Sequence, residues 1–368
     1  MEFQIDKDKF LHGVTLVGGV AAQKTNTLPI LSNILIESKS NTELLLAGTD
    51  LELGVSTVLN IDPHTEGSIT LPSKKLHDLL RELSSGNVEV TVAKNNAVNI
   101  KSGKAIFKIM GLAKDDFPKL PEPNPLNTIE LQQQIFKECL LLTSFAISHD
   151  ETRYVLNGIY IQLNKNQLRF VATDGRRLAF VEKKLPLSIP IEETTEIILP
   201  TKAVQELNKI LTQEGTLKLS LTKTQAVFVV GQTILSTRLI EGHFPNYEQV
   251  IPKEEKTVSQ VSREELLRAV RRAALLTSPE SQLVKFDFLK DRLLISSRSP
   301  NLGEAKEEIS AEANGGELAI GFNPAYLLDV LKNLDIETIS FCLTEPDKPG
   351  LLRGKEDYLY VVMPMQLN

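Results

Sequence analysis

The residues with the clearest chemical potential are two Thr-Asp pairs, Thr49-Asp50 and Thr173-Asp174, the second followed by Gly175. Asp50 and Asp174 could serve a carboxylate-dependent nuclease, although nothing in the sequence picks them out as a dyad. Asp before Gly after an alternating strand is equally the signature of a turn, and the turn is the reading preferred here. The other chemistry-bearing residues form no constellation. The five histidines (His12, His64, His77, His149, His243) show no HExxH spacing, and the two cysteines, Cys139 and Cys342, form no CxxC pair, so no metal site or cofactor is expected. Gly13–Gly19 lacks the lysine and flanking strand of a phosphate loop. The cysteines sit in apolar stretches and read as buried free thiols in a reducing cytoplasm. Neither a signal peptide nor a membrane span is expected, which places the chain in the cytoplasm.

The 368 residues carry 41 Lys and Arg against 47 Asp and Glu, a net charge of −6. That balance disfavours a nucleic-acid partner unless the bases are gathered on one surface. The stretch Arg263–Leu276 shows such a gathering best, although an ordinary solvated helix face with i,i+4 pairs would look the same and is the reading the helices alone favour. At 100° per residue, Leu266, Ala269, Val270 and Ala273 share one face, while Arg268, Arg271, Arg272 and Leu275 fall on the other. A weak, sequence-blind attraction to phosphates suits a protein that moves along DNA.

The elements that position these residues repeat. Ile69-Thr70-Leu71-Pro72-Ser73-Lys74 returns as Ile198-Leu199-Pro200-Thr201-Lys202 and, more weakly, as Ile320-Gly321-Phe322-Asn323-Pro324. Each is a short apolar strand running into a helix, with Ser73, Thr201 and Asn323 as expected N-caps. Gly48-Thr49-Asp50 returns as Ala172-Thr173-Asp174, and Asp116-Phe117-Pro118 as His243-Phe244-Pro245, in the same order and at nearly the same offset. Three domains of 1–125, 126–253 and 254–368 follow, with boundaries at the proline-rich 120–126 and the charged 251–257. The spacing predicts helices over 8–18, 74–83, 131–144, 202–211, 263–276 and 324–334. A hairpin is predicted through 88–100, where Val88, Val90 and Val92 alternate. Two helices against many antiparallel strands make each copy an α+β domain.

Ala172-Thr173-Asp174-Gly175-Arg176-Arg177-Leu178-Ala179, Phe244-Pro245-Asn246-Tyr247 and Tyr360-Val361-Val362-Met363-Pro364-Met365 resemble the beta sliding clamps, the processivity subunits of bacterial replicative DNA polymerases. So do Thr27–Leu31, Gly48–Glu52 and Arg153–Gly158, and the likeness covers the whole chain. The resemblance implies three tandem clamp domains that assemble as a head-to-tail homodimeric ring around duplex DNA. It implies no catalysis, and partners comprising the polymerase alpha subunit, the clamp loader and other proteins with clamp-binding motifs. Carried over residue by residue, the peptide pocket comprises Leu156, Thr173, Gly175, Arg176, Arg177, Leu178, Pro245, Val250, Val361, Met363, Pro364 and Met365. Arg176 stands where many relatives have His, and Gln249 and Gln366 replace basic residues common in the family. DNA-contacting positions are Lys24, Arg153, Tyr154 and Lys202, to which the helix reading adds Arg268, Arg271 and Arg272. At the ring joint Phe107 is expected against Leu275 and Leu276, and Lys75 and Lys104 opposite Glu304, Glu307 and Glu308.

Overall fold

The computed structural model describes residues 1–21, 28–62, 65–124, 128–185, 194–278 and 282–367. The repeated phrases mark one element order used three times. The first copy runs β1 (Glu2–Asp6), α1 (Lys7–Gly18), β2 (Asn33–Ser40), β3 (Glu43–Thr49), β4 (Leu53–Asn60), β5 (Ser68–Pro72), α2 (Ser73–Glu82), β6 (Asn87–Val92), β7 (Ala97–Ser102), β8 (Ala105–Met110). The second runs β9 (Thr128–Gln132), α3 (Gln133–Thr143), β10 (Gly158–Leu163), β11 (Gln167–Thr173), β12 (Arg177–Lys184), β13 (Thr195–Pro200), α4 (Thr201–Ile210), β14 (Thr216–Leu221), β15 (Gln225–Val230), β16 (Thr233–Arg238). The third runs β17 (Thr257–Ser262), α5 (Arg263–Ala274), β18 (Val284–Phe288), β19 (Arg292–Ser299), β20 (Gly303–Asn314), β21 (Leu318–Phe322), α6 (Pro324–Asn333), β22 (Thr338–Leu343), β23 (Gly350–Arg353), β24 (Tyr358–Val362). The expected α+β class, with three tandem copies of two helices and antiparallel sheet, is what the chain adopts.

The chain divides into two compact units, and the cut runs through the second copy: Met1–Lys137 with Gln205–Leu239, and Glu138–Val204 with Ile240–Asn368. The first unit holds a sheet ordered β1-β6-β7-β8 and another ordered β5-β2-β3-β4-β16-β15-β14-β9. The 88–100 hairpin forms as expected, Val90 pairing with Ile100 and Val92 with Val98. Helix α1 buries Phe10, Val14 and Val17, and Phe3 meets the Phe10 ring edge-on at 5.9 Å. The second unit holds one sheet ordered β13-β10-β11-β12-β24-β23-β22-β17-β20-β19-β18-β21. Helix α5 buries Leu266, Ala269, Val270 and Ala273, the four positions that periodicity places on its inner face, and α6 buries Leu327, Val330 and Leu331. Beneath them Phe286 lies 5.7 Å from Phe322 and 6.4 Å from Phe341. Full burial of such aromatics is the dominant favourable term here, at roughly 1.5–3 kcal/mol for a large apolar side chain. No described helix is long and apolar enough to cross a membrane.

Helix starts differ from expectation in an instructive way. Asn323 caps α6, its side chain accepting from the Ala325 amide at 2.9 Å. Ser73 and Thr201 do not cap. Strand β5 runs straight into α2, so the cap position falls on Pro72 and Ser73 is already the first helical residue. Its hydroxyl lies 2.7 Å from where a side chain on Gly18 would begin, so Gly18 must be bare for the end of α1 to approach α2. The Thr201 hydroxyl donates instead to the Asn157 carbonyl at 2.7 Å. Helix α3 starts at Gln133 rather than 131, because Leu131 still pairs with Leu217 in the sheet. Both cysteines are buried and free, and burial pushes the Cys342 thiol up to about 11.

Candidate peptide cleft, edge strands and basic helix

The two Thr-Asp pairs form the same turn twice. The Asp50 side chain accepts from the amides of Glu52 and Leu53 at 3.1 and 2.8 Å, and Asp174 from those of Arg176 and Arg177 at 2.9 and 3.1 Å. The threonine hydroxyls donate to the carbonyls of Leu53 and Arg177. The third turn residue is left-handed in both, Leu51 at φ 78° and Gly175 at φ 85°. Both carboxylates are engaged as turn caps, in line with the turn reading. Among the described residues no cluster of His, Cys, Asp and Glu could hold a metal.

In the second unit the Asp174 turn lies beside the chain's last strand. Arg177 and Leu178 pair with Val362 and Val361, the Met363 amide donates to the Arg176 carbonyl at 2.9 Å, and the Met365 amide to the Gly321 carbonyl at 2.8 Å. This brings Thr173, Gly175, Arg176, Arg177, Leu178, Val361, Met363, Pro364 and Met365 together. Leu178 and Val361 are buried in a cluster with Tyr160, Val171 and Leu351, against which Phe244 and Tyr247 pack. Phe244 stacks on Tyr160 at 5.1 Å. Pro245 and Val250 stand exposed on the same segment, Met363 is exposed at its rim, and Leu156 is buried.

Arg177 differs from its neighbours. Only 10% of its side chain is exposed, and Nε and Nη1 donate to Asp174 Oδ2 and Asp329 Oδ2 at 3.0 and 2.7 Å, Nη2 to the Phe145 carbonyl at 2.6 Å. Burial works against its charge, but the surrounding oxygens of Tyr360, Asp329 and Asp174 outweigh it and raise its pKa. Arg153 reaches the same turn: its guanidinium lies 2.7 Å from where a Gly175 side chain would begin, and Nε donates to Asp150 at 2.9 Å. The structure therefore adds Arg153, Phe244 and Tyr247 to the cleft's surroundings. The Phe-Pro repeat marked Phe244, whereas no local signal marked the inward turn of Arg177.

Of the basic residues, Lys24 lies outside the described residues. Tyr154 and Lys202 are exposed. On α5, Arg268 pairs with Glu264, and Arg272 grips Glu307 through two hydrogen bonds of 2.8 and 2.5 Å. Arg271 is exposed beside them. The expected basic face is thus partly neutralised from within the chain. The acids of β20 are likewise engaged, Glu304 with Arg298 at 3.2 Å and Glu308 with Arg292 at 3.9 Å. Lys75 and Lys104 are exposed.

Among the described residues strand β8 pairs with β7 alone, and its Ile106, Phe107 and Met110 are all exposed. Along 303–310, among the described residues, β20 pairs on one side only, with β19. Leu275, just past α5, is 74% exposed. Exposed apolar edges of this kind are normally covered in natural proteins.

A tandem array of one β-α-β4-α-β3 domain, with sheets that run on from copy to copy, defines a clamp-type scaffold. Known proteins bear this out over the full length. Family models of the DNA polymerase III beta subunit match as its N-terminal domain over residues 1–121, its central domain over 130–246 and its C-terminal domain over 248–366. The beta sliding clamp of Chlamydia muridarum is 32% identical over 368 residues, and that of Pseudomonas aeruginosa 34% over 372, each chain being covered completely. The crystal structure of the Bacillus subtilis DNA polymerase sliding clamp superposes over the whole of both chains with a TM-score of 0.94 at 30% identity. The chain belongs to the DNA polymerase III beta subunit family. It is a sliding clamp, a non-catalytic processivity subunit of DNA replication.

Proposed function

We propose that two copies of this chain close head to tail into a ring around duplex DNA and tether the replicative polymerase through the Asp174–Met365 cleft. One observation carries the ring. Strand β4 of the first copy pairs with β16 of the second, and β12 of the second pairs with β24 of the third. The corresponding strand of the third copy is β20, and the strand equivalent to β16 and β24 in the first copy is β8. Among the described residues both are left with an open edge. A second chain satisfies both at once, β20 meeting the partner's β8, and the same joint forms twice. Phe107, Leu275 and Leu276 then supply apolar area. The intrachain partners of Glu304, Glu307 and Glu308 leave Lys75 and Lys104 a smaller electrostatic share than the sequence implied.

DNA is held without base reading, by Lys24, Tyr154, Lys202, Arg268, Arg271 and Arg272, with Arg153 shared between DNA and the cleft. A modest phosphate attraction in a net acidic protein permits sliding. The cleft, apolar at its floor and edged by adaptable methionines, fits a short hydrophobic peptide borne by the polymerase alpha subunit, the clamp loader and other clamp-binding proteins. The working compartment is the cytoplasm, and the three domains divide at 125 and 253. A cross-linking experiment tests the joint. A chain carrying Lys108→Cys and Lys306→Cys, treated with a short bismaleimide, yields covalent dimers, whereas each single variant yields none. Dimers from Lys108→Cys alone would mean that β8 meets β8, and the head-to-tail assembly would be wrong.

A further inference from the structure

Resting on that cleft reading, we propose that Arg177 and Asp329 form a clasp that sets the cleft's width, so that both are positioning residues rather than peptide contacts. The cleft has two walls from different domains: the turn Thr173–Arg177 of the second copy and the segment Met363–Met365 of the third. Between them the guanidinium of Arg177 spans Asp174 in the turn and Asp329 on α6, with its third bond to the Phe145 carbonyl in the 3-10 turn that follows α3. It also lies over the Tyr326 ring, 4.6 Å from the centroid, one turn before Asp329 on the same helix. A planar, rigid fork with three occupied N–H directions fixes distance and angle together, which a lysine could not do.

Both ends of the clasp are themselves anchored to a wall. Asp174 uses its other oxygen to close the turn through the amides of Arg176 and Arg177. Helix α6 is pinned to β24, because the Tyr360 hydroxyl donates to the Tyr326 carbonyl at 2.9 Å, and β24 leads directly into Met363. The Met363–Arg176 hydrogen bond joins the two walls at their base, and the clasp fixes the angle at which the Asp174 turn and α6 stand on either side of it. With so little of the Arg177 side chain exposed, a docked peptide has no charged fork to grasp there. The clasp instead sets the gap that the peptide enters.

The test uses the full-length chain and a synthetic peptide copying the C-terminal tail of the cognate polymerase alpha subunit. Asp329→Ala leaves a good helix former on a partly exposed position of α6, so the fold is retained. Peptide affinity is expected to fall about tenfold, some 1.4 kcal/mol. Asp329→Asn should lose less, and Asp329→Glu, which keeps the carboxylate, should recover part of the loss. The melting temperature and the dimer mass serve as the readouts of a merely structural role. If peptide affinity in Asp329→Ala and Asp329→Asn stays within twofold of wild type while wild type binds, the clasp is refuted and the cleft stands. A loss that merely tracks the melting temperature, without recovery in Asp329→Glu, refutes it too. A wild-type chain that ignored the peptide would overturn the cleft reading and the clasp with it.

Discussion

Replacing Leu275 by alanine probes the ring joint through a residue that contributes almost nothing to the fold of one chain. In the single chain the residue is 74% exposed, so truncation opens no cavity. At the proposed joint, by contrast, that exposed area is what the partner would cover. Truncation to alanine removes three carbons, at about 0.8 kcal/mol per buried methylene, or about 2.4 kcal/mol for complete burial. Scaled to the area free in the single chain, the loss is about 1.8 kcal/mol per joint. A head-to-tail dimer has two identical joints, so the loss doubles to about 3.6 kcal/mol, and the dimer Kd rises about 400-fold. Sedimentation equilibrium over a dilution series measures that constant directly. A Kd within threefold of wild type, in a chain of unchanged circular dichroism, would refute the placement of Leu275 at the joint.

Deleting Met363–Asn368 removes one cleft wall but neither open edge strand, so tail-peptide binding should vanish in a fluorescence anisotropy titration while the dimer mass is kept. For Glu138, burial opposes ionisation, but hydrogen bonds from Lys355 and Lys183 outweigh it and hold the carboxyl below its ordinary value. A depressed folded pKa contributes stability that is present above the unfolded value and lost as pH falls through the folded one. Glu138→Gln should therefore lower the melting temperature at neutral pH and converge with wild type in acid; an equal gap at all pH values would contradict this. Changing both Arg268 and Arg271 to alanine should flatten the dependence of DNA affinity on log salt by about 0.9 for each phosphate that no longer meets a guanidinium, and an unchanged slope would remove α5 from the DNA surface.

What the sequence makes legible here is what short-range pattern encodes. The inner face of α5 follows from the spacing of Leu266, Ala269, Val270 and Ala273, and the Asp174 turn from Asp-Gly after an alternating strand. The repeated phrases around Ser73, Thr201 and Asn323 reveal the threefold architecture. They mislead on capping at two of the three sites because a strand ending at Pro72 leaves no loop in which Ser73 could serve as a cap. The partners of charged groups are hidden for a different reason. Asp329 lies 152 residues from Arg177, and Glu307 lies 35 from Arg272, so only the folded sheet decides that these pairs meet. Arg177 accordingly reads as a peptide-binding residue in the sequence and turns inward in the structure. The open edges of β8 and β20 are equally invisible until strand order is known, since an edge strand differs from a central one by what pairs with it and not by its own residues.

The central claim is topological, and retention on DNA tests it most directly. The clamp is loaded by its cognate loader and ATP onto nicked circular plasmid, passed through a sizing column, and the plasmid is then cut once. Clamps that encircle DNA co-elute with the circle and are lost within the time taken to slide off the new ends. Clamps held equally on circular and linear DNA would show that affinity alone retains them, and the ring would not be the working form.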